Sequence, residues 1–194
     1  MDTIFFAKEY ISDLRSFATE VLGPKLPQAN RRTTTRWEAS LGDVIKVNFD
    51  ASLQSPEDGC GLGWLGRCSD GRCVAWFSTR WKQYLDPITA EAIASLKVLQ
   101  FVRDHHFPKA ILESDSSIFV AAVEGEIGSR SSYENIISDI KLLANTFEEF
   151  QIRHVLREGN RTAHEIVKLS CRVSFMSSVI PRFITHILMS ESPS

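Results

Sequence analysis

Net charge is nearly absent from this sequence: 22 lysines and arginines against 24 aspartates and glutamates leave −2 over 194 residues. No whole-molecule field draws such a chain to nucleic acid or to an anionic membrane, so a polyanion must be met by a local patch. Cysteine is scarce. Cys60, Cys68, Cys73 and Cys171 form no CxxC pair and have no histidine at zinc-ligand spacing, which excludes a zinc knuckle and a disulfide framework and fits a reducing compartment. Long apolar runs are missing as well. The last one, Val173 to Met189, is broken by Pro181, Arg182 and His186, each costly or disruptive at a bilayer centre, so no membrane-spanning segment is expected. An acid-poor leader is also lacking: Asp2, Glu9, Asp13 and Glu20 alternate with Ile4, Phe5, Phe6, Ile11, Leu14 and Phe17, the pattern of an amphipathic helix and not of a signal or transit peptide. The compartment expected is nucleus or cytoplasm, not the secretory route.

What is present suits a packed domain: 43% apolar residues with 10 Gly and 7 Pro, close to globular averages. The size fits one domain with appendages. Residues 1–22 read as the amino-terminal amphipathic helix, and 23–43 as a linker with Gly23, Pro24, Pro27 and a basic run of Arg31, Arg32 and Arg36. The domain is placed at 44–172 and a carboxy-terminal extension at 173–194. Within the domain, Ile45, Val47 and Phe49 alternate with Lys46, Asn48 and Asp50, a strand ending at a carboxylate. Leu62, Trp64 and Val74 to Phe77 flank Asp70-Gly71, a hairpin signal.

Asp86 then caps a helix with Pro87 at its first position, apolar through Ile88, Ala92, Leu96, Leu99 and Val102 and ending near Phe107-Pro108. Ala110 to Leu112 form a short strand leading into Glu113-Ser114-Asp115, and Ser116 to Val123 are helical. Ser131 with Glu134 makes a capping box for the next helix. Phe150, Ile152 and His154 form a last strand, and Asn160 caps a last helix. The order βββαβααβα predicts an α/β fold, a mixed sheet with helices on its faces.

Three acidic residues fall where this order can bring them together: Asp50 at the end of the first strand, Glu91 early in the first long helix, and Asp115 after the fourth strand. Two carboxylates about 4 Å apart at an effective dielectric near 20 repel by roughly 4 kcal/mol. Hard divalent ions relieve that, Mg²⁺ above all, and two of them about 3.5 to 4 Å apart make a phosphodiester-cleaving site. Read singly, each acid is more usually a turn residue, a cap or a solvated side chain. A phosphate hydrolase with a nucleophilic strand-end aspartate expects a second aspartate two residues on, where this chain has Ser52.

Five features in one order carry a resemblance: Arg36-Trp37 leading into Lys46-Val47-Asn48-Phe49-Asp50, the hairpin Gly61-x-Gly63…Arg67…Asp70-Gly71, the pair Ala90-Glu91, the run Glu113-Ser114-Asp115-Ser116, and Arg157-Glu158-Gly159-Asn160-Arg161-x-Ala163-His164. Over about residues 36 to 188 the chain resembles the type 1 ribonuclease H domain, in particular the plant reverse-transcriptase-like branch related to retrotransposon ribonucleases H.

The resemblance implies a five-stranded ribonuclease H-like sheet and metal-dependent endonucleolytic hydrolysis of the RNA strand of RNA/DNA hybrids. It implies four carboxylates and two Mg²⁺ ions, with Asp50, Glu91 and Asp115 matching three of the four. His154 matches a mobile histidine assisting water activation or product release. The fourth carboxylate position falls on His164, an imidazole without negative charge that suits Mn²⁺ or Zn²⁺ better than Mg²⁺ and implies reduced activity. The alternative is a nucleic-acid-binding or interaction module that keeps the fold without turnover.

For the substrate, Arg153, Arg157, Arg161, Lys168 and Arg172 form a basic strip that can track phosphates, or equally a solvated helix face. Arg80-Trp81-Lys82 offers an aromatic between two cations, although Trp81 also suits the core. Backbone around Ala51-Ser52 and Gly61-x-Gly63 is placed to meet 2′-hydroxyls, and the resemblance gives Asn160 a part in fixing the site loop. The short connection from Gly125 to Ser131 carries one arginine, so the basic handle that some ribonucleases H use to grip hybrid is missing. The chain is expected to act as a monomer.

Overall fold

Alternating side chains on the first strand set the architecture. The computed structural model describes residues 37–125, 133–171 and 175–191; the amino-terminal amphipathic segment, most of the basic linker and Arg172 lie outside them. β1 (Val44–Leu53), β2 (Cys60–Arg67) and β3 (Cys73–Trp81) form the antiparallel meander. β4 (Lys109–Ser114) lies parallel to β1, and β5 (Glu149–His154) lies parallel to β4. A sixth strand, β6 (Phe175–Ser177), pairs antiparallel with β3, giving the order β5-β4-β1-β2-β3-β6. Six strands therefore replace the five expected, because residues 175–177, assigned on sequence to an extension, find the open backbone edge of β3.

The β2–β3 turn closes at Asp70-Gly71 as expected. Gly71 N donates to Cys68 O, and Gly71 takes a left-handed φ of 80°, the position in a longer hairpin loop that a glycine fills without strain. The helix α1 (Pro87–Asp104) starts as read, with the Asp86 carboxylate accepting from Thr89 N at 3.0 Å and Pro87 in the first turn. α2 (Ser117–Glu124) is capped by Ser116, which accepts from Phe119 N, and ends at left-handed Gly125.

One helix start differs from the sequence reading, and another stands where expected without the expected cap bond. α3 (Glu134–Ala144) begins at Glu134 itself behind Tyr133, with no side-chain cap, so Glu134 does not stand three residues into the helix as a capping box requires; Ser131 lies outside the described residues. Asn160 does precede α4 (Arg161–Val167), but its side chain makes no cap bond because it is engaged elsewhere. A 3₁₀ turn (Lys168–Cys171) and α5 (Arg182–Glu191) complete the chain.

Each face of the sheet has its own core. Ile45, Val47, Phe49, Leu62 and Trp64 meet Val98, Leu99 and Val102 of α1, together with Phe119, Ile140 and Leu143 of the neighbouring helices. On the other face Leu65 and Trp76 meet Ile166 of α4 and Ile184 of α5. The alternation along β1 is thus a true strand pattern with an unusual consequence. Its polar set is buried too: Lys46 is 3%, Asn48 0% and Asp50 6% exposed, because α4 lies over it. β1 also does not end at Asp50; it runs three residues further in the ladder with β2, while its parallel pairing with β4 stops at Asn48↔Glu113.

Close approach of α4 depends on Gly63, where a Cβ would stand 2.8 Å from Val167 N and 2.9 Å from Val167 Cα. Backbone cannot yield as a side-chain tip can. Gly63→Ala should cost about 1–3 kcal/mol and lower the melting temperature by roughly 3–10 °C, read by calorimetry; an unchanged midpoint would show that α4 is less tightly seated.

Candidate active site

Two residues past the last parallel pair of β1 and β4, Asn48↔Glu113, side chains of the two segments converge. Asp50 comes from β1 and Asp115 from the residue after β4, while α1 brings Glu91 up from the other side of the sheet. One carboxylate oxygen of each lies within 4.8 Å of the others, and this is the one such acidic group of three among the described residues. The convergence expected from the sequence order is what the fold produces.

Short bonds hold the set. Ala51 N donates to Asp50 Oδ1 at 2.9 Å and to Glu91 Oε1 at 3.2 Å, tying two acids through one amide. Ser114 Oγ donates to Glu91 Oε2 at 3.2 Å. Asn160 Nδ2 donates to Asp115 Oδ1 at 3.1 Å and to Phe49 O at 2.9 Å, while Oδ1, the atom that would accept from its own helix, faces Asn48 Nδ2 at 3.4 Å instead. His164 Nδ1 lies 2.9 Å from Asp50 Oδ2, and Arg157 Nη2 lies 3.3 Å from His164 Nε2. A guanidinium only donates, so Nε2 is the acceptor and Nδ1 carries the proton towards Asp50. Both ring nitrogens are engaged, and the imidazole must release one of them to meet a cation. His154 ends β5 opposite Ser114, half-buried and one residue short of Asp115 in the register.

The charge is poorly compensated. Burial, and then the charges of Asp50 and Asp115, push the Glu91 carboxyl well above its usual range; burial also raises Asp50, although the hydrogen bond from His164 opposes it. Three hard oxygen donors with unrelieved negative charge fit a divalent cation of the Mg²⁺ or Mn²⁺ type.

Other residues singled out on sequence are more dispersed. Ser52 lies two residues beyond Asp50, and its hydroxyl crowds Gly61 together with that of Ser170, where a Cβ would come within 2.7 Å and 2.1 Å of the two oxygens. Arg157 and Arg161 are exposed beside the site. Elsewhere on the strip, Lys168 pairs with Glu165 at 2.7 Å and Arg153 donates to Gln151. Arg80 pairs with Asp58, and Trp81 packs against the main core.

The sequence reading missed a polar group beneath the site. Lys46 Nζ lies 3.0 Å from Glu113 Oε1, Asn48 Nδ2 donates to Glu113 Oε2 at 3.0 Å, and Arg67 Nη2 donates to Asn48 Oδ1 at 2.7 Å. Trp37, counted within the linker, is buried and stacks 4.0 Å from the Arg67 guanidinium. The signal was the Lys46-Asn48-Asp50 alternation, but its burial depends on α4, more than a hundred residues away.

Because the folded state holds the Glu91 proton above the ordinary value of about 4.5, the favourable contribution of this group is complete below that value and is lost as pH rises through the folded value. Glu91→Gln, neutral at every pH, should therefore melt near wild type at pH 4 and above it at pH 8 in metal-free buffer. A variant melting lower than wild type at pH 8 would contradict the charge balance described.

No curated protein matches the chain, whereas residues 48–170 match the family described as Reverse transcriptase-like. Among solved structures the fold is similar to RNase H1 of the halophilic archaeon Halobacterium salinarum, with 20% identity, 66% of this chain and 96% of that one covered, and a TM-score of 0.60. It is similar to the N-terminal RNase H domain of a Mycobacterium tuberculosis protein solved as a fusion with maltose binding protein, at 15% identity, 66% and 93% coverage and a TM-score of 0.61. A compost-derived RNase H1 solved in complex with an RNA/DNA hybrid gives 15% identity, 66% and 96% coverage and a TM-score of 0.55. At such identities the likeness is one of fold. With its family match covering most of the domain, the chain belongs to the reverse transcriptase-like family and is built on the ribonuclease H fold.

Proposed function

We propose that the protein is a metal-dependent ribonuclease H of the plant, retrotransposon-derived type, acting as a monomer on the RNA strand of RNA/DNA hybrids. The observation that carries this reading is the meeting of Asp50, Glu91 and Asp115 from three separate elements within 4.8 Å. Bound there, two divalent ions, Mg²⁺ or Mn²⁺, would supply Lewis-acid stabilisation and a nucleophile at neutral pH. The chain's own residues hold the acceptors: Ala51 N and Ser114 Oγ orient Asp50 and Glu91, and Asn160 orients Asp115. His154, at the rim, assists proton movement or product release.

Backbone around Ser52 meets the RNA strand, and Arg157 and Arg161 meet phosphates, so affinity rests on few cations. His164 serves as a weak fourth ligand that favours Mn²⁺. A second reading, a binding module without turnover, draws support from the same histidine, since its ring is committed to Asp50 and Arg157.

Cleavage of an end-labelled RNA/DNA hybrid, run separately in Mg²⁺ and Mn²⁺, decides between them. Wild type should cut faster in Mn²⁺, and Asp50→Asn should lose about 10²–10³-fold or more, since a few kcal/mol of barrier are at stake and each 1.4 is tenfold. His164→Asp should move the preference towards Mg²⁺. A folded protein that binds hybrid and cuts in neither ion would leave the binding module as the function.

A further inference from the structure

Beneath the carboxylates runs a chain of hydrogen bonds whose direction is set at its far end. Arg67 is 2% exposed, lies under Trp37 and has only donors to offer. Its Nη2 donates to Asn48 Oδ1 at 2.7 Å, which fixes the Asn48 amide with Nδ2 pointing away. That Nδ2 donates to Glu113 Oε2 at 3.0 Å and reaches both Gly159 O and Asn160 Oδ1 at 3.4 Å. Asn160 is fixed in turn, and its Nδ2 donates to Phe49 O and Asp115 Oδ1. Were either amide flipped, an oxygen would face an oxygen and a buried donor would go unpaired, at a cost of about 1–3 kcal/mol per group.

We propose that Arg67 and Asn48 are positioning residues: with Asn160 they form a relay, anchored beneath Trp37, that fixes the rotation of the Asp115 carboxylate at the candidate site. Three successive bonds separate the cation from that carboxylate. Each amide has a single orientation compatible with its neighbours, so the charge of the first and the Phe49 carbonyl together set the orientation of the last. Lys46 and Glu113 complete the arrangement: Lys46 holds Glu113 Oε1 at 3.0 Å, leaving Oε2 to accept from Asn48. The consequence for metal binding rests on the ribonuclease reading, whereas the relay itself does not.

The test uses the full chain with Arg67→Met, Arg67→Lys and Asn48→Asp. Val102→Ala, in the core near the far end of α1, controls for lost stability alone. In metal-free protein the side-chain amide resonances of Asn160, in a ¹H–¹⁵N spectrum, should shift in Arg67→Met and in Asn48→Asp, which keeps the acceptor for Arg67 but removes the donor to Asn160. They should return towards wild type in Arg67→Lys and stay in place in Val102→Ala.

Mn²⁺ affinity, read from free Mn²⁺ by electron paramagnetic resonance, should fall about tenfold or more in Arg67→Met, as when outer partners of a metal ligand are lost, and stay within twofold in Val102→Ala. Asn160 resonances unmoved in Asn48→Asp, or in a folded Arg67→Met, overturn the relay. A wild type that binds no Mn²⁺ while Asn160 still responds to Arg67 supports the relay and removes the ribonuclease reading.

Discussion

Parallel pairing of β1 with β4, in the register that sets Asn48 beside Glu113, is the constraint on which the rest depends. It brings two chain segments more than sixty residues apart to a common end, and just past that end stand Asp50 and Asp115. Neighbouring parallel strands lie about 4.8 Å apart, so the two carboxylates meet by construction. A slip of one residue would turn each of them to the opposite face. Both faces of this pair are covered, and the polar and apolar sets of β1 have different partners, so the register is specified twice, once by the main core and once by the ions beneath α4.

Covering both faces has an energetic consequence. Lys46, Arg67 and Glu113 are almost entirely out of water, and buried charges are tolerated only when paired and fully hydrogen-bonded. Here one carboxylate takes both an ammonium and an amide, and the guanidinium rests on an indole face. Two cations against one anion leave the group beneath the site positive, opposite in sign to the three acids above it. The buried group reaches the acids through the hydrogen bonds of Asn48 and Asn160, and Trp37 closes it from solvent.

What was legible in the sequence was local or carried by motif. Asp86 and Pro87 start α1 because cap and first turn lie within four residues, and Gly71 closes its hairpin for the same reason. The three acids stood out by their places in the element order, and resemblance supplied the strand pairing that spacing could not. Where a side chain had two possible partners, local reasoning chose the near one. Asn160 looked like a cap and bonds Phe49 and Asp115; Glu134 looked like the third residue of a helix and is its first. β6 escaped because three residues have no periodicity to read, and their strand exists only because β3 offers an edge.

The near-zero net charge of the whole chain takes on a sharper meaning beside the site. Of the cations on the basic strip, Lys168 is matched to Glu165, Arg153 leans on a neutral glutamine, and Arg157 lies against the His164 ring. Of these Lys168 alone meets a carboxylate, so the strip keeps a local positive surplus on a chain whose net charge of −2 does little to concentrate a polyanion before contact. On the proposed function, recognition then rests on short-range fit at the end of β1 around Ser52, since Gly61 and Gly63, expected on sequence to meet hydroxyls, lie buried against Ser170 and α4. For the RNA/DNA hybrid of the proposed function, discrimination by hydroxyl contacts and helix shape is the form of selectivity such a surface allows. It also places a premium on fixed carboxylates, because a weakly held substrate gains most from a site already in its reactive geometry. The buried relay and the ions beside it provide that rigidity from below, where no substrate reaches.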